Sequence, residues 1–124
     1  DYDDKVVFHI VEPNGHFCWC DIVNRIIYID LGHLNKKSDR VAFDILHEIG
    51  HLSSIPSKLE GVTMFGNVLV NAEDEYNATA WAIKNCKKYN IKLTKKTKKD
   101  YDDYIQSCCN HMGIKNIYHL KWED

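Results

Sequence analysis

This sequence of 124 residues has no long apolar run, almost no excess of charge of either sign and only two prolines. No apolar stretch approaches the roughly 18 residues of a membrane-spanning helix, and the first residues do not resemble a secretion leader, so we expect neither a membrane span nor a signal peptide. The formal net charge of −2 does not favour binding to nucleic acid or acidic membranes. At this length we expect residues 1–124 to form one domain with its own core.

The cysteines do not suggest a disulfide framework. Five is an odd number, and Cys108 and Cys109 are adjacent, which is unfavourable for paired bridges. Cys18 and Cys20 would share one face of a strand and could supply half of a zinc site, but no second C-x-C or C-x-x-C completes it. We therefore expect five reduced cysteines in a cytoplasmic protein.

The strongest motif is His47-Glu48-Ile49-Gly50-His51. On an α-helix, residues four apart lie on the same face, so the imidazoles of His47 and His51 can both reach one metal ion. Glu48 is one step around the helix and can take a proton from a metal-bound water without itself being a ligand. This spacing predicts a metal site with a general base beside it.

The surrounding sequence predicts a buried helix for this motif. Ser38 or Asp39 can cap its N-terminus. Apolar side chains recur at the spacing of a buried stripe, namely Val41, Ala42, Ile45, Leu46, Ile49 and Leu52. A buried His pair with a Glu between them would be costly without a metal. Because Gly50 weakens a helix by about 1 kcal/mol relative to Ala, we expect a neighbouring backbone to come close there.

The rest of the chain predicts an α+β fold. Three β-branched or aromatic runs, residues 5–11, 16–23 and 25–30, suggest a small, mostly antiparallel sheet before the motif helix. A second strong helix should begin at Asn71 or Ala72 and end near Tyr89. Thr97 or Asp100 could cap a last helix, and the apolar tail could pack back on the domain. Residues 62–70 are ambiguous between a strand and a loop.

A catalytic zinc usually has three protein ligands, and the second helix begins with three acids, Glu73, Asp74 and Glu75. Glu75 shares its face with small side chains, Ala78, Thr79 and Ala82. These would let the second helix lie close to Gly50, which a carboxylate needs in order to reach the metal. We therefore rank Glu75 first and Asp74 second. For each acid the alternative is a charge that stabilises a helix N-terminus.

The H-E-I-G-H helix, followed about two dozen residues later by E-Y-N-A-T-A-W-A from Glu75 to Ala82, resembles the ImmA/IrrE family of bacterial and phage metallopeptidases. The resemblance extends from Phe8 to Tyr89. It implies a zincin-like helical core with the sheet packed on it, with His47, His51 and Glu75 as zinc ligands and Glu48 as general base. Two departures are the absence of a fused helix-turn-helix domain and Thr79, where Asn or Asp is frequent.

The resemblance further implies a zinc-dependent endopeptidase whose substrate is a helix-turn-helix repressor of a phage or mobile element. Such an enzyme touches DNA only through its substrate and needs no membrane. Zinc would activate a water, and Glu48 would pass its proton to the leaving amine. The donor that stabilises the oxyanion is open among the tyrosines and five histidines, His9, His16, His33, His111 and His119.

Two other functions remain open from the sequence. One is a regulatory module that binds a repressor without cutting it and has a structural or vestigial metal site. The other is nucleic-acid binding through the eight lysines between residues 84 and 99. That run has no arginine and only Tyr89 as an aromatic, so a solvated helix end and turn is the favoured interpretation.

Overall fold

The structure is a computed structural model that describes residues 6–13, 17–36, 38–53 and 71–122. Three strands precede four helices, in the order β1 (Val7–Val11), β2 (Cys18–Asp21), β3 (Ile26–Asp30), α1 (Leu31–Leu34), α2 (Asp39–Ser53), α3 (Ala72–Lys88) and α4 (Lys95–Met112). The predicted α+β class is confirmed. Within the described ranges, no helix has the length and apolar character needed to cross a membrane.

Some sequence predictions lie outside the described residues. These are residues 62–70, for which the sequence left strand and loop open, and the first residue of each of the first two predicted strands. His16, one of the candidate oxyanion donors, is also among them.

The three strands form one mixed sheet in the order β1-β3-β2. β2 pairs antiparallel with β3, whereas β1 pairs parallel with it. The expectation of a mostly antiparallel sheet is therefore wrong for β1. Sequence neighbours β1 and β2 are not spatial neighbours, because β3 lies between them. β3 is the most buried strand, with Ile27 fully buried and Ile29 nearly so, and a central position covers both of its edges.

The face of the sheet that carries Ile27 and Ile29 packs against α2. Leu52 of α2 completes this core, and Ile45 and Ile49 pack around it. Cys18 and Cys20 pack against the same cluster, so the predicted shared face of the two cysteines is confirmed. All five cysteines are free, as predicted.

Local capping sets the helix starts. The Ser38 hydroxyl accepts from the Arg40 amide at 3.1 Å at the start of α2, as predicted. α3 begins at Ala72, as predicted, and Asn71 is its cap. The cap of α4 is Thr94 and not the predicted Thr97 or Asp100, and the Thr94 amide donates to Asp39 at 2.7 Å. The single-turn helix α1 was not predicted from the sequence.

A second core lies among α2, α3 and α4. It is formed by Phe43, Ala82, Ile83, Cys86 and Tyr101. Leu120 and Trp122 of the C-terminal tail pack against it, as the apolar tail predicts. α4 ends at Gly113, whose φ of 68° turns the chain back towards the domain.

A buried ionic group, here called the Asp44 cluster, joins α1, α2 and α4. Asp44 is 5% exposed and accepts from His33 Nε2 at 2.9 Å and from Arg40 Nε at 2.9 Å. The Tyr101 hydroxyl also donates to Asp44, and Arg40 donates on to Asp100 at 2.9 Å. Each oxygen of the Asp44 carboxylate therefore has a protein donor.

Candidate metal centre

α2 places His47 and His51 one helical turn apart on the side that packs against α3. Their Nε2 atoms are 3.2 Å apart, and the two rings meet edge to face. His47 is 4% exposed, and the His51 side chain is 13% exposed. The predicted spacing therefore brings two ring nitrogens to one point near the surface.

Glu75, in the first turn of α3, completes a group of three. Its Oε1 lies 3.1 Å from His47 Nε2, and its Oε2 lies 3.1 Å from His51 Nε2. Among the described residues, these three side chains offer ligand atoms that all lie within 4.8 Å of one another. Glu73 is exposed, and Asp74 does not belong to the group. The structure thus brings together the three predicted ligands, including Glu75, the acid that the sequence ranked first.

A close approach of two helices makes this meeting possible. A Cβ atom placed on Gly50 would lie 2.6 Å from the Ala78 carbonyl oxygen and 3.0 Å from the Ala78 Cα. The facing residues of α3, Ala78, Thr79 and Ala82, are fully buried. The predicted backbone contact at Gly50 is therefore confirmed, and it is the backbone of the helix that carries Glu75.

The three ligand atoms fit a small divalent cation. Zinc bonds to nitrogen and oxygen of about 2.0–2.1 Å place neighbouring ligands of a tetrahedron roughly 3.3 Å apart. The distances from His47 Nε2 to its two partners are 3.1 and 3.2 Å. Two neutral imidazoles and one carboxylate form a donor set that suits zinc best, although manganese or cobalt could also bind.

Thr79 sets the orientation of His47. Its hydroxyl donates to the Glu75 backbone carbonyl at 2.7 Å, so its oxygen accepts from His47 Nδ1 at 3.0 Å. The proton on Nδ1 leaves the Nε2 lone pair of His47 directed at the other two ligands. A partner of this kind is typical of metal-binding histidines. In the sequence, Thr79 was only a departure from the family motif.

The charges of the group favour an ion pair between α2 and α3. Burial opposes a charge on His51, but the hydrogen bond and charge of Glu75 raise the pKa of His51 to about 9. Burial likewise opposes a charge on Glu75, but its contacts with the His47 and His51 rings hold its pKa well below the usual range. The carboxylate is therefore ionised at neutral pH and available to a cation.

Glu48 lies beside the His pair on the side of the sheet. It is half-buried and hydrogen-bonds to the Cys20 thiol of β2. Burial, followed by the charge of Glu75, raises the pKa of Glu48, while the two histidines oppose this rise. The contact with Cys20 was not predicted, because the C-x-C spacing indicates only which face the thiols share.

Tyr104 of α4 is a further residue of the site that the sequence did not identify. Its hydroxyl donates to Glu75 Oε1 at 2.9 Å, and its ring centroid lies 6.3 Å from that of His47. Partial burial and the charge of Glu75 raise the pKa of Tyr104, so the hydroxyl stays protonated. Tyr104 lies three residues after Tyr101, so the two share a face of α4, but nothing in the sequence indicates which helix that face meets.

Four of the five histidines considered as oxyanion donors belong to the described part of the chain, and they lie away from the three predicted ligands. His33 belongs to the Asp44 cluster, and His9 packs edge-on against Tyr28 of the sheet. His111 and His119 are exposed at and beyond the end of α4. The structure therefore does not bring any of these four to the metal ligands.

The resemblance to the ImmA/IrrE family rests on the two motifs whose residues meet here. His47 and Glu48 come from the first motif and Glu75 from the second. Membership of that family stays a prediction from the sequence. No protein-family model, no curated protein and no solved structure matches the chain.

Proposed function

We propose that this chain is a zinc-dependent endopeptidase with a zincin-like core that cleaves a partner protein. His47, His51 and Glu75 hold the metal, and Glu48 is the general base. The observation that carries the proposal is the convergence of two Nε2 atoms and one carboxylate at 3.1–3.2 Å, with Glu48 adjacent in the same helix.

The chemistry follows from the position of Glu48. When bound, zinc supplies a Lewis acid that polarises the scissile carbonyl and acidifies water. Glu48 accepts the proton of the attacking water and delivers it to the leaving amine. Burial that raises the pKa of Glu48 helps the carboxyl group hold that proton between the two transfers.

The sheet supports a polypeptide substrate. β2 pairs with β3 on one side, and no strand pairs with its other edge within residues 6–13, 17–36, 38–53 and 71–122. Cys20, in the middle of β2, contacts Glu48. A segment of substrate could add to this edge as an extended strand and pass the general base.

The substrate that we propose is a helix-turn-helix repressor of a phage or mobile element, cut in the cytoplasm at one or a few sites. This part of the proposal comes from the family that the motifs resemble. Under this proposal, the peptidase contacts DNA only through the bound repressor. The ion pairs from Lys96 to Asp100 and from Lys99 to Asp103 support this, because they neutralise part of the lysine run.

The test uses the repressor encoded beside the gene, incubated with the purified protein in the presence of zinc or of a chelator. We expect discrete fragments with zinc and none with the chelator. Glu48→Gln should slow cleavage by about 10²–10⁴-fold and keep the affinity for zinc and repressor. Glu73→Gln, which changes an exposed carboxylate in the first turn of α3, should leave the rate unchanged.

Two results would overturn the proposal. If wild type and Glu48→Gln both release an intact repressor from its operator, the protein is a regulatory module that binds without cutting. If the chain alone binds DNA with a steep salt dependence, the lysines between residues 84 and 99 form a nucleic-acid surface instead.

A further inference from the structure

We propose that Tyr104 is a positioning residue of the metal centre, which holds one oxygen of the Glu75 carboxylate so that the other oxygen is presented to the metal. The inference rests on the metal centre of the proposed function. It makes α4 a third contributor to a site whose ligands come from α2 and α3.

The two oxygens of Glu75 have different surroundings. Each oxygen lies 3.1 Å from one histidine, Oε1 from His47 Nε2 and Oε2 from His51 Nε2, but only Oε1 also accepts from the Tyr104 hydroxyl, at 2.9 Å. The hydroxyl thus takes up part of the hydrogen-bonding capacity of Oε1. This arrangement favours Oε2 as the oxygen that binds a cation.

The direction of the hydrogen bond from Tyr104 is fixed by its partners. An ionised carboxylate only accepts, so the single hydroxyl proton goes to Glu75. The buried Cys108 thiol, one turn further along α4, also contacts this hydroxyl.

When a metal is bound, Tyr104 would be the hydrogen-bond donor that remains to the Glu75 carboxylate. In the described part of the chain, the side-chain oxygens of Glu75 meet His47, His51 and Tyr104. A histidine that gives its Nε2 lone pair to a metal has no proton on that atom to donate. Without Tyr104, the metal alone would have to order the Glu75 side chain, at a cost in side-chain entropy.

The test is Tyr104→Phe, which removes the hydroxyl and keeps the ring. Groups that hydrogen-bond to metal ligands typically contribute about 10–100-fold to metal affinity, so we expect zinc affinity to fall at least about tenfold in competition with a chromophoric chelator. Tyr89→Phe is the matched control. Tyr89 is 61% exposed at the end of α3, and its variant should bind zinc like the wild type.

A cobalt-substituted sample separates positioning from general destabilisation. The visible absorption of Co²⁺ depends on the number and geometry of its ligands. If Oε1 is freed in Tyr104→Phe, the cobalt spectrum should change, whereas it should be unchanged in Tyr89→Phe. Phe preserves the packing of a side chain that is already 40% exposed, so we expect the variant to fold, which its thermal unfolding checks.

The outcomes distinguish this inference from the proposed function. Weaker zinc binding together with an altered cobalt spectrum supports the role of Tyr104. Unchanged zinc affinity, or weaker binding with an unchanged cobalt spectrum, overturns the role of Tyr104 but does not contradict the proposed metal centre. A wild-type protein that binds no zinc would instead remove the metal centre itself.

Discussion

Two buried groups of charged side chains lie next to each other on α2, and they differ in how donors and acceptors match. In the Asp44 cluster, both oxygens of the carboxylate receive protein donors, from His33 on one side and from Arg40 and Tyr101 on the other. Positive and negative partners are both present. The Asp44 carboxylate is therefore fully paired within the protein, while Nδ1 of His33 is buried without a hydrogen-bond partner.

The group at His47, only three residues further along, lacks this match. Thr79 takes up the Nδ1 proton of His47, while Nε2 of the same ring faces both His51 Nε2 and Glu75 Oε1. With its proton on Nδ1, the neutral His47 ring has none on Nε2 to donate to either neighbour. The acceptor atoms of the three side chains therefore outnumber the protons that lie between them. A cation resolves this excess. The comparison indicates that a carboxylate paired with protein donors needs no ligand, whereas the His47 group has the unpaired acceptors that the proposed metal site requires.

The largest effect on the free energy of unfolding should come from a substitution in the Asp44 cluster. Asp44→Ala leaves His33, Arg40 and Tyr101 without their common acceptor, and we expect the free energy of unfolding to fall by about 3–5 kcal/mol. Urea denaturation in the presence of a chelator measures this fall. Asp103→Ala is the control, because Asp103 pairs with Lys99 at an exposed site, where such pairs contribute little to stability. Equal losses for the two variants would contradict the structural role of Asp44.

The second effect concerns metal binding and separates two neighbouring acids. Glu75→Ala removes a ligand and should lower zinc affinity by more than the roughly 100-fold upper range for a group that only supports a ligand. Glu73→Ala removes an exposed charge two residues away and should bind zinc nearly as well as wild type. The measurement is chelator competition at neutral pH. An equal loss for both variants would show that the wrong face of α3 has been assigned to the metal.

A smaller effect should appear in the pH dependence of stability when zinc is removed. The pKa of His51 is about 9 in the folded chain and about 6.5 when unfolded, so the folded state binds more protons between these values. The stabilisation by protonated His51 is present below pH 6.5 and is lost as the pH rises to 9, by on the order of 2 kcal/mol. The groups facing His51 are His47 and Glu48 on α2 and Asp74 and Glu75 on α3.

The measurement is urea denaturation from pH 6 to pH 9 with a chelator, compared with His51→Gln. We expect the difference in stability between the two proteins to shrink as the pH rises. A constant difference would mean that His51 is not protonated by its contact with Glu75.

The sequence predicts the parts of this molecule that depend on local pattern. Ser38 could be identified as a candidate helix cap, and Asn71 or Ala72 as a helix start, because capping depends on residues within one turn. Gly50 and the small residues facing it predicted the close approach of two helices, because periodicity fixes which side chains share a face. With the helices and their faces defined, the meeting of His47, His51 and Glu75 followed.

Features that depend on long-range packing could not be obtained in this way. The parallel pairing of β1 requires knowing that β3 lies between β1 and β2, which no local pattern contains. Tyr104 reaches Glu75 only because α4 packs against α3, and Cys20 reaches Glu48 only because β2 packs on α2. In each case the decisive contact joins segments that are distant in sequence.

The most direct test of the account is X-ray absorption at the zinc edge of the protein loaded with one equivalent of zinc. The account predicts a first shell of nitrogen and oxygen ligands only, at about 2.0–2.1 Å, with the outer-shell scattering of two imidazoles. Sulfur ligands at about 2.3 Å would place the zinc on the cysteines and contradict the account, as would a protein that takes up no zinc.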